Sequence, residues 1–207
     1  MTEAAAFWDR RADKYSRSPI RDQAAYEKTL ERTRAHLVAE DQVLEVGCGT
    51  GTTALLLAPS VRRILATDVS SRMIEIASEK AADEGASNVR FAVGTIFDEK
   101  LEPGSFDVVM AFNLLHLLHD LPGVVGRVHS LLEPGGRFIS KSVCLGEARD
   151  LPFRLLIRVM HGLRLAPHVS FVSPGELDGI IASAGFEILE TGSYPQARNR
   201  FLVAQKT

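Results

Sequence analysis

Between Val43 and Asp68 the chain reads VLEVGCGTG and then, after a short spacer, RRILATD. An apolar run contains the acidic Glu45 and is followed by glycines at 47, 49 and 51, and a second apolar run closes on Asp68. Gly47 and Gly49 are free to take positive φ and let a ligand approach the backbone where a Cβ would otherwise stand. Asp68 follows Gly51 by 17 residues, close to the spacing at which an acidic side chain accepts hydrogen bonds from ribose hydroxyls. A strand, glycine turn, helix and second strand in this order hold a nucleoside by its sugar. The dinucleotide pattern G-x-G-x-x-G would need glycine or alanine at position 52, and Thr52 stands there, which counts against a nicotinamide-dependent oxidoreductase. Cys48, between the glycines, reads as a small residue filling a tight turn rather than as a nucleophile.

A second concentration of chemistry is AFNLLHLLHD, residues 111–120. An imidazole titrates near neutral pH, so His116 can serve as a general base. The same residue also reads as a histidine packed at a helix start. A metal site from His116, His119 and Asp120 is disfavoured because no further ligand follows at a recognisable spacing. A third is LPFRLLIRVMHGLRLAPHVSF, residues 151–171, where Arg154, Arg158 and His161 share one helical face and Leu155, Leu156, Val159, Met160 and Leu163 cover the rest. Such a helix lies on an anionic membrane surface or holds a carboxylate or phosphate. More simply, it caps the domain with its apolar side buried, and that is the expectation adopted.

The elements that must position these residues follow from periodicity and punctuation. Strands are expected at Gln42–Val46, Arg63–Thr67, Val89–Val93, Phe106–Phe112, Arg137–Val143, Phe186–Thr191 and Arg200–Gln205. Phe106–Phe112 is apolar almost throughout, as suits a parallel strand buried on both faces. A helix from Asp22 carries Tyr26, Leu30, Thr33 and Leu37 at helical spacing. Others run over Thr52–Ala58, stopped by Pro59, from Ser70 or Ser71 to Gly85, over Leu121–Leu132, and from the Ser173-Pro174 start, where Glu176 completes a capping box. Alternating strands and helices predict an α/β domain with a mainly parallel sheet covered on both faces. Trp8, Tyr15 and Ile20 precede the sheet and have no periodic partner in it, so residues 1–40 are read as a lid and helix.

At 207 residues, 45% hydrophobic and 24% charged, the chain suits one soluble domain spanning 1–207. No apolar stretch has the length of a membrane span, and the start lacks the pattern of a secretory signal. Two cysteines are too few for a disulfide framework, which favours a reducing cytoplasm. A net charge of −2 gives no overall attraction to nucleic acid phosphates.

The acidic Glu45 followed by G-C-G-T-G resembles the first motif of the class I S-adenosylmethionine-dependent methyltransferases, and the resemblance runs from about Val43 to the C-terminus. It implies a Rossmann-like, doubly wound, seven-stranded sheet with an antiparallel last strand, and S-adenosyl-L-methionine as cofactor. It implies that the turn Gly47-Cys48-Gly49 and Gly51 contact the methionine part, that Glu45 helps place the amino group through water, and that Asp68 grips the ribose. Val69 would lie under the adenine, with Met73 nearby and Ile96 on the other face. The family often has an acidic residue where this chain has Thr95, so the adenine amino group has Thr95, a backbone carbonyl or Asp98 as its partner. Asn113, Leu114 and Leu115 would line the cofactor and the substrate mouth, and Tyr15 the carboxylate end. The expected acceptor is a small molecule. Phospholipid head groups and quinone precursors fit the apolar, basic insertion 145–172, with peripheral membrane or lipid contact through 152–165 as an alternative. A non-catalytic cofactor-binding protein is the alternative of another class.

Overall fold

A computed structural model describes residues 2–163, 165–194 and 198–207. Its seven strands are β1 (Gln42–Val46), β2 (Arg63–Asp68), β3 (Val89–Val93), β4 (Phe106–Phe112), β5 (Leu132–Val143), β6 (Phe186–Gly192) and β7 (Asn199–Lys206). They form one sheet in the order β3-β2-β1-β4-β5-β7-β6. β1 pairs in parallel with β2 and β4, β2 with β3, and β4 with β5. β7 runs antiparallel between β5 and β6, as the resemblance implied. The strand order reverses at β1 and β4, where the following connections leave toward opposite faces and open a crevice at the carboxyl ends.

β4 shows how the sequence makes the two layers. Val109 and Ala111 face one cluster with Val124, Val128 and Leu177, while Val108 and Met110 face the other with Leu57, Ile64 and Phe201. Side chains alternate across a strand, so an unbroken apolar run is what burial on both faces requires. Burying a Leu or Met side chain completely stabilises the fold by roughly 1.5–3 kcal/mol. Asp107, at the start of β4, accepts from Gln42 N–H at 2.8 Å and fixes β1 against it.

The helices are α1 (Glu3–Asp9), α2 (Ala12–Arg17), α3 (Gln23–Arg34), α4 (Thr52–Leu57), α5 (Ser71–Asp83), α6 (Leu121–Leu131), α7 (Leu151–Gly162) and α8 (Pro174–Ser183). Asp22 caps α3, Ser70 caps α5, and Ser173 with Glu176 forms the capping box of α8. α4 ends at Leu57, ahead of Pro59. The chain tightens into a 3-10 turn, Ala58–Ser60, with the proline in its first positions, where a missing N–H costs nothing. β5 begins five residues earlier than expected, because Leu132 already pairs with Phe106 before the register shifts.

α7 overturns the expectation of a cap with a buried apolar side. None of its residues is buried, and Leu151, Leu155, Leu156, Val159 and Leu163 are all exposed. The partly buried residues of the helix are Arg154, Ile157 and Met160, and the Arg154 and Arg158 guanidinium groups stand 5.2 Å and 5.5 Å from the centroid of the Phe171 ring. Guanidinium is weakly hydrated and stacks on aromatic faces, so it occupies a half-buried seam at low cost. Arg198 fixes the start of the segment, bonded to the buried Asp150 at 2.7 Å and lying over Phe153 at 4.7 Å.

Candidate active site

The crevice at the carboxyl ends of β1, β2 and β4 holds a cavity of about 560 Å³, within the range of small-ligand pockets. Gly47, Gly49, Asp68, Val69, Met73 and Ile96 line it, as do Thr95, Asn113, Leu114, His116 and Tyr15. Eleven of the residues singled out in the sequence therefore meet around one space. Glu45, Cys48 and Gly51 lie behind its wall, each for its own reason.

Gly47, Gly49 and Gly51 have φ of +71°, +53° and +77°, a conformation that L side chains rarely adopt. A Cβ on Gly47 would stand 2.8 Å from Leu114 Cδ1, so a side chain there would have to displace Leu114 at the tip of β4. Gly51 is structural. It precedes α4 as its cap, and a Cβ there would lie 2.6 Å from Phe91 Cζ and 2.8 Å from Ala77 Cβ. Cys48 turns its thiol into the core beside Ala54 and Leu57. Burial first, and then the carboxylates of Glu45 and Asp68, raise its pKa, which leaves a filler and no nucleophile.

Asp68 is held rather than free. One carboxylate oxygen accepts from Gly49 N–H at 3.0 Å and the other from Ser70 N–H at 2.9 Å. Each oxygen retains acceptor capacity toward the cavity. Burial raises its pKa, against the lowering effect of these backbone donors. Glu45 is 2% exposed, and its Oε2 has no hydrogen-bond partner among the described residues. Desolvation, reinforced by the nearby Asp68, pushes its pKa up to about 8. A buried acceptor left unpaired under a glycine turn, beside a held carboxylate, fits an adenosyl ligand that carries an amino group. The residues present match that group.

The tip of β4 is strained where function would need it. Asn113 is the one non-glycine with positive φ among the described residues, at +54°, held by its N–H bond to Lys141 O at 2.7 Å. Such conformations persist only where surroundings impose them, often at ligand sites. His116 follows in the 3-10 turn Leu115–Leu117. Desolvation lowers its pKa to about 4, and its buried Nδ1 has no partner among the described residues. The metal reading finds nothing to build on, since Asp120 is used to cap α6 and His119 stacks on His168 with ring centroids 3.6 Å apart.

Tyr15 is half exposed at the mouth, its ring 3.7 Å from where a Cβ of Gly49 would stand. Burial raises its phenol pKa, with contributions from Asp68 and Glu45. The lid that carries it is pinned by Asp9, which accepts from Ser70 Oγ at 2.6 Å and from Arg72 N–H at 3.2 Å. Thr95 lines the cavity, and its Oγ1 accepts from Phe97 N–H at 3.2 Å. Asp98, the third candidate, is absent from the lining, and its carboxylate accepts from Lys100 N–H.

Sequence reading missed the far wall, formed by Phe97, Leu117, Leu118, Val124, Pro167 and Val169. It also missed the tie that places Pro167 and Val169 there. Ser170 N–H donates to His116 O at 2.7 Å, and Ser170 Oγ donates to Leu118 O at 2.6 Å. His168 Nε2 lies 3.1 Å from the same Oγ and must donate to it, because the hydroxyl proton is already engaged. A lone serine in an irregular stretch gives no periodic signal.

Comparison with known proteins agrees with this geometry. A family described as "Methyltransferase domain" matches residues 37–166. The chain is 36% identical over 101 residues to the uncharacterized methyltransferase YcgJ of Bacillus subtilis (strain 168), covering 49% of this chain and 40% of that protein. It is 27% identical over 186 residues to the ubiquinone biosynthesis O-methyltransferase of Xanthomonas euvesicatoria pv. vesicatoria (strain 85-10), covering 84% of this chain and 75% of that one. Its fold superposes with a TM-score of 0.76 on magnesium protoporphyrin IX methyltransferase from Synechocystis PCC 6803, at 18% identity and over 99% and 98% of the two chains. The chain belongs to the class I S-adenosylmethionine-dependent methyltransferases.

Proposed function

We propose that the chain methylates a small, largely apolar acceptor through an ionisable hydroxyl, of the kind a phenolic quinone precursor presents, in a reducing cytoplasm. The observation that carries this reading is the division of the cavity. Its polar end is Asp68 and the glycine turn, and its other end is almost wholly aliphatic and aromatic with one imidazole. The naming of the Xanthomonas relative for O-methylation supports the same acceptor class. Both cysteines are free and buried, which agrees with a reducing compartment.

S-adenosylmethionine supplies an electrophilic methyl on a sulfonium sulfur. In this reading Asp68 accepts from the ribose hydroxyls, the ionised Glu45 behind the turn helps place the amino group through water, and Tyr15 closes over the turn. The far wall orients the acceptor in line with the bond that breaks, and positioning of this kind contributes roughly 7–11 kcal/mol. The acceptor oxygen gains the methyl, the S–CH₃ bond breaks, and the hydroxyl proton passes to His116. An imidazole with a pKa near 4 is a weak base, but it is wholly neutral at pH 7. A hydroxyl becomes strongly acidic as its oxygen is alkylated, so a late transfer to a weak base suffices.

The test is transfer of labelled methyl to a panel of phenols, amines and thiols. Methylated phenols support the reading, and activity confined to amines or thiols overturns it. Calorimetry should show S-adenosylhomocysteine binding at about micromolar strength, near −8 kcal/mol, with no binding of NADH.

A further inference from the structure

α7 is inside out. Turning at 3.6 residues per helical turn, Leu151, Leu155, Val159, Leu156 and Leu163 fall on one continuous arc, and that arc faces solvent. Leu155 and Leu163 are 66% and 65% exposed. No charged residue interrupts it, while Arg154, Ile157 and Met160 are the partly buried residues of the helix and Arg154 lies over the Phe171 ring at 5.2 Å. Contiguous apolar surface of more than a few hundred Å² on a soluble protein marks a contact site.

Charge beside the arc indicates which contact. Arg11 donates to Leu165 O at 3.3 Å, which joins the lid to the end of α7. Residues 10–21 of that lid carry five basic side chains against the single acidic Asp13, and Asp13 is already paired with Arg72 at 2.7 Å. Arg10, Lys14, Arg17 and Arg21 are exposed, with Ile20 among them. In a chain of net charge −2 this is a local reversal of sign. An apolar helix face with a basic segment tied to its end is what an anionic lipid surface attracts and buries. The segment after α7 also supplies Pro167 and Val169 to the cavity wall, so a seated α7 would bring the apolar end of the cavity close to the lipid phase.

We propose that the outward face of α7, with the basic lid beside it, seats this protein on an anionic phospholipid bilayer. The contact is peripheral, since no helix among the described residues is long and apolar enough to cross a membrane. It holds whatever acceptor atom the cavity takes.

Co-sedimentation of the full chain with vesicles tests it. Phosphatidylcholine vesicles containing phosphatidylglycerol should carry the wild type into the pellet, and phosphatidylcholine alone should carry little. The double variant Leu155→Glu/Val159→Glu should lose about tenfold or more in partitioning by removing buried apolar surface. Lys14→Glu/Arg17→Glu should lose about tenfold on the anionic vesicles only, and added salt should remove the difference. Unchanged binding of S-adenosylhomocysteine by both variants shows that they are folded. A wild type that stays in solution with both kinds of vesicle overturns the proposal, as does a Leu155→Glu/Val159→Glu variant that pellets like the wild type. A wild-type dimer that this variant splits in sedimentation velocity also overturns it, and makes a second copy the occupant.

Discussion

The two ends of the cavity are built differently. At the cofactor end the important contacts are made by backbone, with three glycines in the left-handed region and an Asp68 held by two main-chain N–H groups. At the acceptor end they are made by side chains on irregular segments, tied together by Ser170 and the stacked His119 and His168. Backbone geometry restricts residue type severely. Apolar packing accepts many substitutes. The first end should therefore fail sharply when altered, and the second should shift specificity before it fails.

The largest effect is expected at Asp68. Removing the carboxylate deletes its acceptors for the ribose hydroxyls and orphans the Gly49 and Ser70 N–H groups. Hydrogen bonds to a charged group are worth roughly 1.5–3 kcal/mol each, so Asp68→Ala should weaken S-adenosylhomocysteine about 100- to 1000-fold by calorimetry. A loss below tenfold would mean that this end of the cavity does not hold the sugar.

Next comes a pair of glycines that have the same backbone sign and opposite surroundings. Gly51→Ala adds a left-handed residue and a methyl 2.6 Å from Phe91, together about 3 kcal/mol. The melting temperature should fall by roughly 6–12 °C for a chain of this size. Gly85 has φ +66° but nothing within 4 Å of a Cβ, so Gly85→Ala should cost only about 1 kcal/mol. Equal losses in thermal scans would place the cost in φ alone, and the close packing under the turn would then be irrelevant.

The same contrast explains what could be read in advance. All seven strands, the caps at Asp22, Ser70 and Ser173, and the positions of Gly47, Gly49 and Asp68 announce themselves because each depends on one residue type or on a period. The periodicity of α7 separates its leucines from Arg154 without saying which side meets the protein, and the leucines are exposed while Arg154, Ile157 and Met160 are partly buried. Only Phe171, far along the chain and in no regular element, decides it. Ser170 and Val169 were invisible for the same reason.

His116 sits on the boundary between the two ends. Its replacement by glutamine keeps a polar group of similar reach but removes the proton acceptor. The turnover number for a hydroxyl acceptor should fall about 100-fold, the low end for general bases, while cofactor affinity stays within about twofold. The acid limb of the wild-type pH profile should lie near pH 4 rather than at the ordinary imidazole value, since burial lowers this pKa. A limb near 6.5 would assign the proton to another group.

The smallest effect is expected at Glu45, and it tests whether the cofactor end is prepared for a cation. Its pKa stands near 8 in the free protein, so at neutral pH the carboxyl is mostly protonated. An ammonium group beside it favours the ionised form, and binding should then release a proton. Affinity for S-adenosylhomocysteine should rise about tenfold from pH 6 to pH 7, or 1.4 kcal/mol per pKa unit, and level off above pH 8. The free protein should behave in the opposite sense. Because the folded pKa lies above the unfolded one, the stability from this group is complete below about pH 4.5 and is lost as pH rises through 8. Asp68 shifts in the same direction, so the wild-type slope is shared between two groups. Glu45→Gln removes one of them: urea midpoints should fall less steeply with pH, and calorimetry in buffers of different ionisation enthalpy should show no proton release on binding. If the variant keeps the wild-type proton release, the group facing the ligand's amine is not Glu45.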